Sequence, residues 1–228
     1  MPKLDFPYEL HRSSRRTLGV KISADAKVEV HAPRRMSISE IEAFLFEKRE
    51  WISDNLKKMQ ERRSRAESFV PGERSGLLLL GREYELKVAD ISRPYFDGTA
   101  FYLPETMPEA EAAAAIKEVY RSIAKAYLVK RTLELAEHFG ESVNSVKINS
   151  ARSRWGSCTS QGNINLSLFL VMAPSEAVDY CIIHELSHLK HMDHSAAFWS
   201  LVSERCPNYE SCRAKLKELN LRLLNEKW

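Results

Sequence analysis

The sequence has few cysteines and no long apolar run. Its four cysteines include no Cys-x-x-Cys pair, so we expect free, mostly buried thiols rather than a cysteine-ligated zinc site. No window approaches the roughly eighteen uninterrupted apolar residues of a membrane helix, which argues against a membrane protein. The N-terminal segment MPKLDFPYELHRSSRRTL lacks the apolar core of a secretory signal. We therefore expect a cytoplasmic location.

The excess of positive charge is also small. The net charge is +3, and contents of 44% hydrophobic and 29% charged residues are those of an ordinary soluble globular protein. A basic face is typical of nucleic-acid binding but is more often only a solvated surface, so nucleic acid is an alternative partner. The basic residues in question are Arg12, Arg15, Arg16, Arg34 and Arg35, followed by Arg62, Arg63, Arg65 and Arg74.

The first half of the chain predicts strands around a long helix. Residues 8–33 alternate in hydrophobicity, which indicates two or three short strands with a turn near residues 25–27. Ser37 then precedes a periodic apolar run that predicts one long, capped helix. A charged connection over residues 61–76 leads to a second β-rich stretch with a turn at Asp97-Gly98. We assign residues 1–105 to a β-rich N-terminal region with one long helix.

The second domain is predicted to comprise residues 106–228. A long helix lies between Pro108 and Gly140, and a later helix begins at Pro174. Two further helices, separated at Pro207, complete the chain. Together with the strands this order of elements predicts an α+β fold rather than a repeating βαβ chain.

Between those helices, residues 146–172 predict two strands joined by a turn near Gly162. We interpret the second strand, INLSLF (residues 164–169), as an edge on which an extended substrate binds through backbone hydrogen bonds. Upstream of it, the segment RWGSC indicates a turn at Gly156 and a buried Cys158.

The helix after Pro174 contains a His-Glu-x-x-His motif, in which His184 and His188 flank Glu185. Since an α-helix turns about 100° per residue, four residues return His188 to within about 40° of His184, one turn along the axis. Two imidazoles placed in this way can share a metal ion, and the adjacent carboxylate reaches a water on that metal. The motif therefore predicts a zinc-dependent hydrolase with Glu185 as general base.

A catalytic zinc site of this kind needs a third protein ligand and an open position for water. His194 has the spacing of a known three-histidine pattern, but on a straight helix it would lie about 15 Å from His184 along the axis. The helix must therefore end before residue 194, and the chain must turn back. His191 is interpreted as a neighbour of the ligands or of the substrate. Glu204 and Glu210 are the alternative third ligands.

These residues resemble the YgjP-like family of predicted zinc metallopeptidases. The matching segments are SRWGSCTSQGNINL, DYCIIHELSHLKHMDHSAAFW, ELHRSSRRTLGVKI and FEKREWI. The spacing of the three histidines is also similar to that of the WLM proteases, which act on protein crosslinked to DNA. The resemblance implies a zincin-like catalytic domain with an active-site helix against a small β-sheet, with zinc held by His184, His188 and His194. Ser167 stands where the resemblance leads us to expect asparagine.

Three functions follow as hypotheses. The first is a zinc metallopeptidase acting on peptides or proteins, and the second is a DNA-associated, protease-like maintenance factor. The third is a non-catalytic zinc-binding module. Glu185 argues against it, because a structural zinc site needs no carboxylate beside its ligand and is usually closed by four protein ligands. No feature of the sequence defines an oligomeric state.

Overall fold

The computed structural model describes residues 4–23, 26–67 and 76–224, with the backbone alone for residues 61–67. The chain divides into two compact units, residues 1–69 and 70–228. This boundary differs from the one predicted after residue 105, because strands that follow residue 76 in the sequence pack against helices of the second unit. The turn predicted at residues 25–27, the connection 61–76 and the later arginine cluster lie wholly or partly outside the described residues.

The first unit contains a three-stranded sheet. Strands β1 (Tyr8–Ser13), β2 (Gly19–Ile22) and β3 (Val28–Pro33) have the order β1-β3-β2, in which β3 pairs parallel with β1 and antiparallel with β2. The inward residues of β3 are fully or almost fully buried, as expected for a strand with one face on the core. The prediction of short strands in this region is confirmed.

Two helices, α1 (Ile38–Glu47) and α2 (Arg49–Glu67), follow the sheet. Ser37 caps α1 in a reciprocal capping box with Glu40, as its sequence predicts. The prediction of one long helix is wrong, because Lys48 adopts φ −93° and ψ 8°, outside the α-helical region.

The second unit begins with five short strands: β4 (Leu77–Leu79), β5 (Arg82–Tyr84), β6 (Leu86–Ala89), β7 (Tyr95–Phe96) and β8 (Phe101–Pro104). β4 and β5 form a hairpin, and the other three form a sheet of order β6-β8-β7. The predicted turn at Asp97-Gly98 is present between β7 and β8. The Asp97 carboxylate accepts the amide hydrogens of Thr99 and Ala100, and Gly98 has φ +96°, a region that favours glycine.

The remaining elements build the core around the histidine motif. They are α3 (Glu109–His138), β9 (Ser145–Asn149), β10 (Gly156–Cys158), β11 (Asn163–Ser167), a 3₁₀ helix (Leu168–Met172), α4 (Ser175–Ser187), α5 (Ala196–Arg205) and α6 (Tyr209–Leu224). The last sheet has the order β10-β11-β9. α3, the 3₁₀ helix and α4 pack together, and α4 also contacts α5, α6 and β10. The fold is α+β, as predicted, with the motif helix beside a small sheet.

The segment 146–172 departs from its prediction in two ways. It contributes to three strands rather than two, and β11 is the central strand, so INLSLF is not an edge. The strand also ends at Ser167, whose hydroxyl donates to the Ala151 carbonyl at 2.7 Å and accepts the Phe169 amide. A serine hydroxyl that bonds the backbone in this way competes with the strand ladder. Within the described residues no helix combines the length and apolar character that crossing a membrane requires.

Candidate metal centre and active site

The helix that carries the motif ends before residue 194, as a metal site shared by His184 and His194 would require. α4 stops at Ser187, and His188 is its C-terminal capping residue. The next amides, of Leu189 and Lys190, bond to carbonyls three residues back, which tightens the last turn of a helix before the chain leaves it. The prediction that the helix ends before residue 194 is confirmed. α5 then begins at Ala196 and brings the intervening loop back over α4.

Three histidine side chains converge at this point. One nitrogen from each of His184, His188 and His194 lies within 4.8 Å of the other two, and the three ring centroids are 4.8–5.1 Å apart. Nε2 of His184 and Nε2 of His194 are 3.2 Å apart. Ligand nitrogens at 2.0–2.1 Å from a tetrahedral zinc are about 3.3 Å apart, so this pair fits a shared ion.

The alternative third ligands do not join the cluster. Across the ranges that the structure describes, the three histidines are the single group of His, Cys, Asp or Glu side chains with this convergence. Glu204 and Glu210 are both exposed. His191 contributes through its backbone instead, because its carbonyl lies 3.0 Å from Nδ1 of His188. A hydrogen bond donated from Nδ1 leaves Nε2 of His188 unprotonated for a metal.

The environment of His184 and His188 disfavours their charged forms. Burial lowers the pKa of His184 to about 4, with further lowering by the charges of His188 and His194. Burial also lowers the pKa of His188. Neutral imidazole is the form that binds a metal ion. Nδ1 of His184 is buried without a protein hydrogen-bond partner among the described residues, a cost typical of a side chain retained for function.

The carboxylate of Glu185 lies in a tight, buried position beside the histidines. Its side chain is 5% exposed, and burial raises its pKa to about 7 against the opposing charge of Arg154. A Cβ atom at Gly156 would lie 2.6 Å from Oε1 of Glu185, so no larger residue fits there without displacing the carboxylate. Gly156 is therefore the first residue of β10 and a packing partner of Glu185, and not the turn that the sequence indicated.

β10 is an edge strand of the adjacent sheet. Trp155 accepts the Ser167 amide at 2.8 Å, and Thr159 donates to Asn163 at 3.1 Å. In an antiparallel ladder the bonded residues alternate, so the N–H and C=O groups of Gly156 and Cys158 point away from β11. Among the described strands none pairs with β10 on that side. A cleft of about 260 Å³ lies between this edge and the histidines. Cys158 is half-buried rather than buried, and burial raises its pKa to about 11.

Three further polar residues, two of them near the motif, make structural contacts. The Asp193 carboxylate accepts the Ser195 amide at 3.3 Å at the start of α5. Tyr180 is 5% exposed, and its ring centroid is 6.0 Å from that of His184. In the first unit, the guanidinium of Arg12 donates to three backbone carbonyls, those of Pro33, Arg34 and Met36.

Two groups near the site were not identified from the sequence. Arg154 and Arg213 both act electrostatically on the motif, Arg154 on Glu185 and Arg213 on His184. Arg154 lies in the RWGSC segment, two residues before Gly156, and the resemblance of that segment to the family was a signal that could have identified it. Arg213 lies on α6, far from the motif in sequence, and no local pattern distinguishes it from a solvated arginine.

A buried carboxylate beside three convergent histidines on an α+β framework defines a metal-dependent hydrolase. A model of the YgjP-like metallopeptidase domain matches residues 16–219, and the chain therefore belongs to the YgjP-like family. It is a metallopeptidase, and its substrates are peptides or proteins. The resemblance to this family that the sequence indicated is confirmed.

Comparison with solved structures shows similarity to the metallopeptidase zymogen of Pyrococcus abyssi abylysin. The identity is 25%, the alignment covers 40% of this chain and 93% of that chain, and the TM-score is 0.34. Comparison with curated protein sequences gave no match.

Proposed function

We propose that the chain is a zinc peptidase in which His184, His188 and His194 hold the ion and Glu185 is the general base. The observation that carries this proposal is the 3.2 Å separation of the His184 and His194 Nε2 atoms beside a buried carboxylate. Two imidazole nitrogens at that distance fit a shared cation. Imidazole ligands suit several divalent metals, and zinc is favoured by the His-Glu-x-x-His spacing.

The chemistry divides between the metal and one carboxylate. When bound, zinc supplies a Lewis acid for the peptide carbonyl and lowers the pKa of a coordinated water. Glu185 accepts a proton from the attacking water and delivers it to the leaving nitrogen of the peptide. In the metal-free chain burial raises the pKa of Glu185 to about 7, and a general base whose pKa is close to the working pH can both accept and release a proton.

The substrate is proposed to bind along β10 as an added strand. The outward-facing backbone groups of Gly156 and Cys158 offer two sets of hydrogen bonds beside Glu185. Backbone recognition of this kind does not depend on side chains, so side-chain preference must come from the clefts on either side.

A metal titration joined to a cleavage screen tests this proposal. We expect about one zinc per chain in the purified protein, cleavage of members of a proteome-derived peptide mixture, loss of cleavage on chelation and recovery with added zinc. Glu185→Gln should abolish cleavage at unchanged zinc content. Stoichiometric zinc without cleavage of any peptide would instead support the non-catalytic module.

The DNA-associated role and the cytoplasmic location stay predictions. Arg12, one member of the N-terminal arginine cluster, has its guanidinium engaged by backbone carbonyls. Arg15 and Arg16 are the other two members before β2, and both are exposed. Binding to generic duplex DNA that weakens steeply with salt would support the role. Charge reversal of Arg15 and Arg16 should then reduce the binding.

A further inference from the structure

A second cleft, of about 560 Å³, opens directly beside His184 and Glu185. Its apolar lining includes Trp155, Tyr180 and Leu216, of which the last two are 5% exposed. Further polar lining comes from α6. The proposed mechanism uses Glu185 and His184 and gives no role in the chemistry to the other residues that line this cleft.

One face of α6 supplies two cations to this cleft. Arg213, Lys217 and Asn220 are spaced by four and three residues, so they share one side of the helix, and all three line the cleft. Two other basic residues of α6 are paired: Lys215 lies 2.6 Å from Glu176, and Arg222 lies 3.3 Å from Glu83.

Arg213 and Lys217 differ from those two residues because neither has a carboxylate within ion-pair distance in the part of the chain that the structure describes. Apart from Glu185, no acidic side chain lines the cleft. The α6 side of the cleft is therefore positively charged. Arg213 and Lys217 can bind a substrate carboxylate without first breaking an internal ion pair.

Arg213 is also held in position near the metal centre. Its guanidinium carbon lies 5.2 Å from the centroid of the Trp199 ring, and that ring is 5.8 Å from the His184 ring. A cation held over an aromatic face has already lost part of its side-chain freedom, so less is lost when an anion binds. The guanidinium is therefore preorganised near the His184 ring.

From these contacts we infer that the cleft binds a carboxylate of the substrate, close to the scissile bond. Arg213 and Lys217 are its cationic partners, and Asn220 adds a neutral donor. The apolar lining accommodates the methylene groups that carry an acidic side chain, and the same cleft fits the terminal carboxylate of a peptide. The inference rests on the proposed peptidase function and specifies its substrate class, a peptide with an acidic group beside the cleaved bond.

Binding to the zinc-loaded Glu185→Gln chain tests the inference without cleavage. The probes are three otherwise identical acetylated pentapeptides: one with a central Glu and an amidated end, one with a central Gln and an amidated end, and one with a central Gln and a free carboxyl end. We expect at least one carboxylate peptide to bind about tenfold more tightly than the neutral peptide. Arg213→Glu with Lys217→Glu should reverse the preference. The control, Lys125→Glu with Lys130→Glu on α3, changes net charge equally and should keep it.

The outcomes separate the sources of the carboxylate and the two proposals. Tighter binding of the Glu peptide identifies an acidic side chain, and tighter binding of the free-ended peptide identifies the terminus. Equal binding of all three peptides, or an equal loss in the α3 control, overturns the inference. If the charge-reversed chain fails to fold, Arg213→Gln with Lys217→Gln replaces it and should abolish the preference.

Cleavage of the same peptides by the wild-type chain is measured in parallel. Carboxylate-selective binding without any cleavage would overturn the peptidase proposal and leave the cleft assignment standing. Cleavage without selectivity would overturn the cleft assignment alone.

Discussion

Replacing Glu185 with glutamine should stabilise the metal-free protein. In the zinc-loaded protein the same change should abolish hydrolysis. The side chain is 5% exposed, and burial raises its pKa from 4.5 to about 7. A raised pKa means that the folded state holds its proton more tightly than the unfolded state does. The contribution of protonated Glu185 to the free energy of unfolding is fully present below about pH 4.5 and is lost as the pH rises through about 7.

The size of the effect follows from the shift. A difference of about 2.5 pKa units corresponds to roughly 3 kcal/mol between the protonated and ionised forms. Glutamine has the same shape and fits beside Gly156 as glutamate does, but it carries no charge to desolvate. The free energies of unfolding of the two proteins should therefore agree near pH 4.5, and the variant should gain up to about 3 kcal/mol by about pH 8. His184 titrates in both proteins, so its contribution cancels in the comparison.

The measurement is denaturant unfolding with a chelator present, at about pH 4.5 and about pH 8. Glu204→Gln is the matched control, because Glu204 is exposed on α5 and its removal should change neither stability nor turnover. Bound zinc offsets the buried negative charge, so the gain should shrink in the zinc-loaded proteins. A variant that is no more stable than the wild type at about pH 8, or that loses a full equivalent of zinc, would refute the reasoning.

Three further outcomes are expected. Gly156→Ala should reduce turnover by at least about tenfold at full zinc content, because its Cβ forces Glu185, the proposed general base, out of position; unchanged kinetics would contradict this packing. His194→Ala should weaken zinc binding by more than about a hundredfold. His191→Ala should leave zinc binding unchanged, because His191 acts through its carbonyl. A competition titration with a chromophoric chelator compares the two variants. Asp179→Asn should lower the free energy of unfolding by roughly 1 kcal/mol, since both Asp179 oxygens lie 2.7 Å from Arg131 of α3; no change in a urea titration would show that this pair does not stabilise the protein.

The sequence predicted the elements that depend on local chemistry. Ser37 and Glu40 predicted a helix start because capping bonds form between residues three apart. Asp97-Gly98 predicted a turn because the turn needs a positive φ, which glycine adopts readily. The end of α4 before residue 194 followed from distance alone, since a straight helix cannot bring His194 to His184. In these cases all the interacting groups lie within a few residues or on one helix, so the sequence contains the whole geometry.

Other features depended on contacts between distant segments. The edge position of β10 arises from its pairing with β11 and from the pairing of β11 with β9, and strand order is not encoded in the alternation of any one strand. The same holds for the domain boundary, since the strands from β4 onward are assigned by the helices they pack against.

The sequence by itself therefore predicted the chemistry that is proposed for the site, and the tertiary structure decided its surroundings. The His-Glu-x-x-His spacing is a property of one helix, and it was sufficient to predict two ligands and a base. The need for glycine at residue 156, the raised pKa of Glu185 and the charge of the cleft beside it come from β10 and α6. Burial and electrostatic interactions depend on distances through space, and those distances exist once the segments have packed together.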